Sequence, residues 1–481
     1  MQFNSYAYLC FLPIVIAGYF LLNRWSVTGG KVFLIAAGIF FYTYAGWRMS
    51  IVLGLSILGN YLAGRIIRKK SKYQKAALAV SVSANVALLL YLKYRDFFIE
   101  NLNLAFHTAF DLKHIILPLG ISFFTFQQIA YLADIYKGEA VDTGVVDYML
   151  YILYFPKLLM GPITPFSDLT AQLNDPGSKK VDWDNITCGI KIFSFGLFKK
   201  MLLADTFSAA VAWGFENMDA ATSMDLFLVM LFYTFEIYFD FSGYSDMAVG
   251  SSMMLNIRLP INFDSPYKAL SIRDFWKRWH MSLTGFLTKY IYIPLGGSRK
   301  GRMRTGINTM IVFLVSGIWH GANWTFILWG AIHGIFCVAE RFFEKYQKKC
   351  MKAVRWGITF LLVSLLWLLF RSDSIAEWLT MLGKMFSFQN MNISDGLIDV
   401  FNLPESALIN DILHLGNIMA QVRGLWLLLF TVSASLICLI PENNYRRFRK
   451  NGYISMIFAA AAFVWAFLCL SSESVFVYFN F

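Results

Sequence analysis

The chain of 481 residues contains 57% hydrophobic and only 15% charged residues, and its mean hydropathy is +0.53. Soluble domains carry about 45–50% apolar and about 25% charged residues. The composition excludes a water-covered surface for most of the chain and predicts an all-α, polytopic integral membrane protein. The net charge of +12 then has to be explained by short loops between membrane helices.

Apolar segments recur along the whole chain without a linker that would separate a soluble domain. We expect a single membrane-embedded domain, residues 1–481, with about ten to twelve membrane helices, some of them partial or re-entrant. The segments are Tyr6–Leu22, Lys31–Gly46, Ile51–Ala63, Ala76–Leu92, Ile115–Ile135, Val145–Met160, Leu226–Tyr238, Thr305–Ala339, Trp356–Phe370, Gly424–Pro441 and Gly452–Ser471.

The loops differ in charge, which predicts an orientation in the cell membrane. Lys and Arg collect in residues 64–75, 341–355 and 442–450, and basic loops stay in the cytoplasm. Residues 372–422 carry a net charge of −5 and are predicted to form an acidic extracytoplasmic loop. Because the basic residues lie between membrane spans, nucleic-acid binding is disfavoured.

Residues 264–304 combine nine basic residues with interleaved aromatic ones, a mixture that cannot cross a bilayer as a lipid-facing helix. The segment is predicted to be an amphipathic or re-entrant cytoplasmic element. It can be an interfacial anchor that binds anionic lipid headgroups, with its aromatic residues at the interface. Alternatively, Arg273, Lys277 and Arg278 form a basic mouth for a phosphate-bearing donor.

Histidines provide candidate catalytic groups. His320 lies near the middle of the 35-residue uncharged run Thr305–Ala339, where an ionisable side chain must face the protein interior or a wet cavity. His280 follows Trp279 in the basic segment. On a continuous helix His333 would lie about 3.6 turns and about 20 Å beyond His320, on another face. Each histidine could instead have a packing role.

Glu236 and Asp240 lie four residues apart in an apolar stretch and share a helix face. Two unpaired carboxylates there would be strongly disfavoured, so we expect them to pair with a base, share protons or line a polar tunnel. A buried ion pair and a catalytic contribution are both compatible with the pattern.

The sequence lacks the signature motifs of several enzyme classes. A G-x-S-x-G elbow, a P-loop and an H-E-x-x-H motif are missing, and the six cysteines are scattered without C-x-x-C spacing. A serine hydrolase, a zinc enzyme or another metal site is therefore not predicted.

Six motifs, in order over residues 115–340, resemble the membrane-bound O-acyltransferase superfamily. The closest similarity is to its bacterial branch containing the membrane subunit of alginate O-acetylation. The motifs are Phe155-Pro156-Lys157 with Gly161-Pro162-Ile163, Tyr238 to Ala248, Pro260 to Tyr267, Asp274 to Leu283, Tyr292 to Gly297, and Gly317 to Gly321.

The resemblance implies a ring of helices around a tunnel, with residues 115–340 as the catalytic core. It implies that His320 is catalytic and that His280 occupies a second polar position where many eukaryotic relatives have Asn. Five residues are expected to line the tunnel or contact substrate: Glu236, Asp240, Tyr244, Trp319 and Asn323.

The reaction implied is transfer of an acyl group, most simply acetyl, from acetyl-CoA or an acyl carrier thioester to an extracellular or cell-wall polysaccharide. No bound cofactor is expected, because the donor is a substrate. The family's bacterial members work with a separate outward-facing acetyltransferase of the SGNH type, for which residues 372–422 are the candidate docking surface.

Two other functions stay open at this point. D-alanyl transfer to teichoic acids belongs to the same superfamily. A proton-coupled transporter would also bury Glu236, Asp240 and His320, although paired halves with repeated broken helices are not evident in the sequence.

Overall fold

The computed structural model describes residues 1–44, 46–140, 144–347, 349–403, 424–440, 445, 452–471 and 476. Over these residues the regular structure is entirely helical. Six helices are long and apolar enough to span a membrane: Tyr6–Trp25, Trp47–Arg68, Gln74–Phe106, Ser223–Met254, Trp324–Tyr346 and Lys352–Arg371. Three shorter apolar helices accompany them, and the predicted all-α polytopic class is confirmed.

The first part of the chain forms helical hairpins. Its helices are α1 (Tyr6–Trp25), α2 (Val27–Thr43), α3 (Trp47–Arg68), α4 (Gln74–Leu89) and α5 (Arg95–Phe106). A π-helical turn, Leu90–Tyr94, joins α4 to α5, so that one long span covers both. Ser5 and Ser26 cap α1 and α2 by accepting hydrogen bonds from backbone N–H groups of the first turn.

The predicted spans Ile115–Ile135 and Val145–Met160 are wrong as continuous helices. Residues 107–120 contain no helix, and the second run is interrupted at Tyr154. The helices that follow α5 are α6 (Ile121–Lys137), α7 (Val145–Leu153), α8 (Phe155–Leu158), α9 (Phe166–Asn174), α10 (Trp183–Phe198) and α11 (Asp205–Glu216). Pro118 and Pro156 lie at these two breaks, and proline lacks the N–H that a helix interior needs.

The centre of the molecule is α12 (Ser223–Met254), a 32-residue helix that is much longer than the predicted Leu226–Tyr238. A capping box of Thr222 and Asp225 starts it. Of its most apolar 18-residue window, 78% is buried inside the protein, against 39% for α1. Since α12 contacts protein rather than lipid on nearly all sides, it tolerates polar side chains that a lipid-facing helix could not.

The basic segment after α12 packs into the protein core. It contains α13 (Ile272–Arg278), α14 (Met281–Leu287) and a π-helical turn, Thr288–Tyr292. Phe275, Trp276 and Trp279 are buried in the core, which corrects the interpretation that these aromatic residues lie at a lipid interface. Their rings pack against Trp329 and Trp367, which belong to two later helices.

Lys289 forms ion pairs that connect the end of this segment to α6 and to the loop after α6. Its ammonium lies 2.8 Å from Asp134 and 2.7 Å from Glu139, and the Tyr290 hydroxyl also donates to Asp134. The hydrogen bond from Lys289 lowers the pKa of Glu139 below its ordinary value. The ion pair between Lys289 and Glu139 therefore stays charged at neutral pH. It weakens only as the pH falls through the lowered pKa of Glu139.

The run Thr305–Ala339 is not one helix. It is divided between α15 (Gly301–His320) and α16 (Trp324–Gln347), which pack against each other along their length. Helices α17 (Lys352–Arg371), α18 (Ile375–Met385), α19 (Asp395–Asp399), α20 (Leu425–Leu439) and α21 (Tyr453–Leu468) complete the described chain. The chain reverses at Gly321, where a Cβ would lie 2.1 Å from the Phe326 ring.

The first part of the acidic segment 372–422 is folded onto the rest of the protein. Met381 and Met385 of α18 pack against the start of α12, and Lys384 donates to the carbonyls of Met218 and Asp219. Asp225 accepts hydrogen bonds from Ser394. Residues 404–422 of the predicted loop lie outside the described residues.

Candidate active site

His320 is the last residue of α15 and is buried, with 4% of its surface exposed. Its imidazole contacts three aromatic rings edge-on, those of Trp319, Trp329 and Phe370, at centroid distances of 4.9, 5.2 and 5.2 Å. The helix ends here because Gly321 is extended, so the side chain is held at a helix terminus rather than in the middle of a span.

His333 lies much closer to His320 than a continuous helix would allow. Its ring centroid is 4.8 Å from that of Trp329, whose ring also contacts His320. The predicted separation of about 20 Å is wrong, because the chain reverses between the two histidines. His333 Nδ1 accepts a hydrogen bond from Trp276 Nε1 at 3.2 Å.

His280 belongs to the same aromatic cluster through two contacts. Its ring centroid lies 6.2 Å from Trp319 and 4.7 Å from Phe241 of α12. Its backbone has φ 44° and ψ 52°, a left-handed conformation that is uncommon for residues other than glycine. Asn262 holds this turn by accepting hydrogen bonds from Met281 N and Ser282 N, and the His280 side chain is buried there between α13 and α14.

Several buried ring nitrogens around His320 find no hydrogen-bond partner within the described part of the chain. They are both nitrogens of His280, Nε2 of His333, and Nε1 of Trp319 and Trp329. Buried polar groups in folded proteins are nearly always paired, and an unpaired one costs about 1–3 kcal/mol. A cluster of such groups around one imidazole is typical of a site that is completed by a polar ligand.

A cavity of about 340 Å³ approaches this cluster along α15. Thr309, Val312, Phe313 and Ser316 line it at helical spacing, and Ser316 precedes His320 by about one turn. Three basic residues also line it, namely Arg273, Lys277 and Arg341. Its volume falls in the range of about 300–1,000 Å³ that small-molecule sites occupy.

Helix α16 sets the orientation of α13 beside this cavity. The Glu340 carboxylate accepts hydrogen bonds from the backbone N–H groups of Ile272 and Arg273, at 2.7 and 2.9 Å. An acid at the start of a helix satisfies its free donors and complements its dipole. Arg273 also lies 3.4 Å from Glu344, so its guanidinium is partly neutralised.

Arg278, the third predicted donor-binding residue, is not among the residues that line the cavity. Its Nε donates to Asp274 at 3.0 Å, and its guanidinium also donates to the Asp264 carbonyl. The structure thus brings together Arg273 and Lys277 and places Arg278 in a surface ion pair.

Glu236 and Asp240 of α12 are both buried, and Asp240 is paired with a base. Lys200 lies 2.8 Å from Asp240 and 2.9 Å from Asp205. Glu236 accepts a hydrogen bond from Ser208, and its Oε2 has no partner among the described residues. A second buried pair, Lys199 with Asp246 at 2.6 Å, lies further along α12.

The other three predicted tunnel residues have different surroundings. Trp319 contacts both His280 and His320. Tyr244 stacks on Phe3 at 4.7 Å and packs edge-on against Phe476. Asn323 starts α16, where its side chain accepts from Thr325 N and donates to the Asp373 carbonyl.

Sequence reasoning missed Lys200, Lys93, Trp329 and Arg341. Lys199 and Lys200 lie in a π-helical turn, Lys199–Ala204. Two adjacent lysines in an otherwise apolar stretch were the sequence signal that could have identified them. Lys93, directly after the apolar run Ala76–Leu92, was the second such signal. No comparable sequence signal marks Trp329 or Arg341, because these residues reach the site only through the packing of α15 on α16.

Comparison with known proteins gives a consistent picture. Residues 136–376 match the sequence model of the membrane-bound O-acyltransferase family. The chain is 35% identical to the peptidoglycan O-acetyltransferase of Helicobacter pylori, over 100% of the chain and 98% of that protein. It is 37% identical to the probable alginate O-acetylase AlgI of Pseudomonas aeruginosa, over 82% and 76% of the two chains. The teichoic acid D-alanyltransferase of Bacillus subtilis is 28% identical, over 48% and 60%.

Proposed function

Because this chain belongs to the membrane-bound O-acyltransferase family and is an acyltransferase, we propose that it moves an acyl group from a cytoplasmic thioester to a cell-wall or extracellular polysaccharide. The acyl group is proposed to be acetyl, since the relatives that align over most of the chain are named O-acetyltransferase or O-acetylase. The multi-pass protein would act in the cell membrane.

The donor would enter through the cavity beside α15. Arg273, Lys277 and Arg341 would bind the phosphates of acetyl-CoA or of a carrier-bound pantetheine arm. The thioester would then extend along Thr309, Phe313 and Ser316 towards His320, a path bounded by apolar and hydroxyl side chains. The donor is a substrate in this scheme, and no resident cofactor is needed.

His320 would act as the general base. Its imidazole would take the proton of an acceptor hydroxyl while that oxygen attacks the thioester carbonyl. The C–S bond then breaks, the thiolate leaves, and the proton passes from the imidazolium to the sulfur. The products are an ester and a free thiol. An acyl-imidazole intermediate on His320 is the alternative route with the same overall balance.

The unpartnered ring N–H groups would stabilise the transition state. The carbonyl oxygen gains negative charge during attack, and donors already aimed at that oxygen lower the barrier. Trp319 and Trp329 each present a buried indole N–H beside His320, and His280 adds one N–H in its neutral form. His280 would thereby orient the donor carbonyl or the acceptor.

The acyl group would be handed on to an outward-facing partner protein. We place docking of an SGNH-type acetyltransferase on the acidic segment 372–422, whose described part is anchored to α12. Transfer of D-alanine to teichoic acid is the second candidate, supported by the similarity to a D-alanyltransferase over about half of this chain.

The clustering of unpaired polar ring atoms around His320 carries the proposal, and acyl-ester content of the wall polymer tests it. A deletion strain is complemented with wild type, His320→Ala or His280→Ala, with membrane expression verified for each. His107→Ala, which alters an exposed histidine far from the cluster, is the control. We expect His320→Ala to lose about 10²–10⁴-fold in rate and His107→Ala to retain full activity.

Full acylation by His320→Ala would disprove the catalytic assignment. D-alanine in place of acetate among the esters released by mild base would instead support the second candidate. Uptake by proteoliposomes without any acyl donor would favour the transporter.

A further inference from the structure

The carbonyl end of α15, which carries His320, is held by side chains from the π-helical turn Leu90–Tyr94. Lys93 Nζ donates to the carbonyl oxygens of Trp319 and His320, at 2.9 and 2.8 Å. The hydroxyl of Tyr94 donates to the Ile318 carbonyl. Three consecutive carbonyls at the end of one helix are thus bound by two adjacent residues of another.

Such carbonyls have no partner within their own helix. The last four C=O groups of an α-helix lack intrahelical donors, and a positive charge at that end also complements the helix dipole. They are commonly satisfied by residues that follow in sequence, such as a glycine in the left-handed conformation. Here the chain leaves in an extended conformation at Gly321, so the donors come from a helix more than 200 positions earlier.

Both side chains project from a π-helical turn, where the backbone departs from the regular α-helical hydrogen-bond pattern. π-Helical turns of this kind occur frequently at functional sites. The same region also contacts the far side of the break, where Trp324 Nε1 donates to Asn101 at 2.9 Å.

A lysine in a membrane span is costly, which argues that Lys93 is more than a helix cap. Charged residues inside spans are rare and usually mark a functional element. Asparagine or serine could bind one carbonyl at lower cost. The Lys93 ammonium has three N–H donors. Two of them bind the backbone carbonyls of His320 and Trp319.

We propose that Lys93 is a positioning residue that fixes the imidazole of His320 and the indole of Trp319 against the reacting thioester. This inference rests on the proposed role of His320. Lys93 contacts neither substrate nor reacting atoms; it acts by holding the backbone from which both side chains project. Tyr94 supports the preceding residue in the same way.

The test compares kcat and KM for acetyl-CoA in purified, reconstituted protein. The variants are Lys93→Met, Lys93→Arg and Tyr94→Phe, with Lys75→Met, an exposed lysine of α4, as the matched control. We expect Lys93→Met to lower kcat about 10- to 100-fold, the cost of a small misplacement of catalytic groups. KM should stay within about twofold, because the donor cavity is untouched. Lys93→Arg, which can still donate to both carbonyls, should restore part of kcat.

Thermal unfolding of each variant separates positioning from folding. A fall in kcat per folded molecule at an unchanged Tm supports the proposal. A Lys93→Met protein with wild-type kcat, or one whose loss appears only in KM or only in the amount of folded protein, overturns it. His320→Ala is measured in parallel: if that variant is inactive while Lys93→Met is fully active, the positioning role fails and the proposed function stands. If His320→Ala is active, both fail.

Discussion

At the scale of single residues, polar side chains in this protein fall into two groups with different energetics. Asp240 and Asp246 are buried with lysine partners at 2.8 and 2.6 Å. Removing one partner of such a pair typically costs about 3–5 kcal/mol, because the other charge is left buried alone. The ring nitrogens of His280, Trp319 and Trp329 have no partner in the described chain. The first group is satisfied within the fold, and we propose that the second is available to a substrate.

The placement of the basic residues gives a prediction about donor affinity. Lys277 lines the cavity, whereas Arg278 donates to Asp274 away from it. We expect Lys277→Gln to raise KM for acetyl-CoA several-fold with little change in kcat, since it removes binding that is equal in ground and transition states. Steady-state kinetics over a range of salt concentrations measures this.

Two variants complete the comparison for the donor site. Arg302→Gln removes the same charge from an exposed position of the basic segment and should leave KM unchanged. Arg278→Gln should also have little effect. An equal rise of KM in all three variants would indicate a diffuse electrostatic attraction rather than a built phosphate site.

At the scale of elements, the contact between α15 and α16 determines the geometry of the site. A Cβ on Gly317 would lie 2.4 Å from the Phe326 carbonyl oxygen, and one on Gly330 would lie 2.4 Å from the Phe313 carbonyl oxygen. Small residues at a helix crossing allow backbones in membranes to approach closely. The crossing brings Trp329 and His333 of α16 beside His320 of α15.

We predict that Gly330→Ala destabilises the protein and lowers activity. The added methyl group meets a backbone atom that cannot rotate away, so the helices must separate, at a cost of about 1–3 kcal/mol. Thermal unfolding in detergent and the acylation assay measure the two effects. Gly357→Ala in α17, where a Cβ meets nothing within 4 Å, is the matched control. Alanine is the better helix former by about 1 kcal/mol, so a Tm at least equal to wild type is expected there.

At the scale of the whole molecule, the site lies between two differently charged regions. The cavity beside α15 contacts Arg341, at the beginning of the basic stretch 341–355. The break after His320 contacts the start of the acidic segment, through the hydrogen bond from Asn323 to the Asp373 carbonyl. With the orientation predicted from charge, the cavity would be reached from the cytoplasm and the far side of His320 would approach the exterior.

Labelling with a membrane-impermeant maleimide tests this orientation. Cys350 is exposed in the basic stretch and is expected to react only in inside-out vesicles. Gln389→Cys, in a Cys350→Ser background, places a thiol on an exposed position of the acidic segment and should react only in intact spheroplasts. The reverse pattern would mean that the donor cavity opens outward, which would contradict transfer from a cytoplasmic thioester.

The membrane class, the helical architecture, the family resemblance and several polar side chains of the site could be predicted from the amino-acid sequence. These follow from local properties, because the bilayer selects apolar helices and penalises every charge within them. Which polar groups meet depends on helix packing. The reversal at Gly321 brings His333 near His320, Lys200 and Lys93 project from π-helical turns to Asp240 and to the end of α15, and Arg278 is turned away from the cavity. Contacts between residues far apart in the chain depend on how helices pack against one another, and composition and periodicity carry no information about that packing.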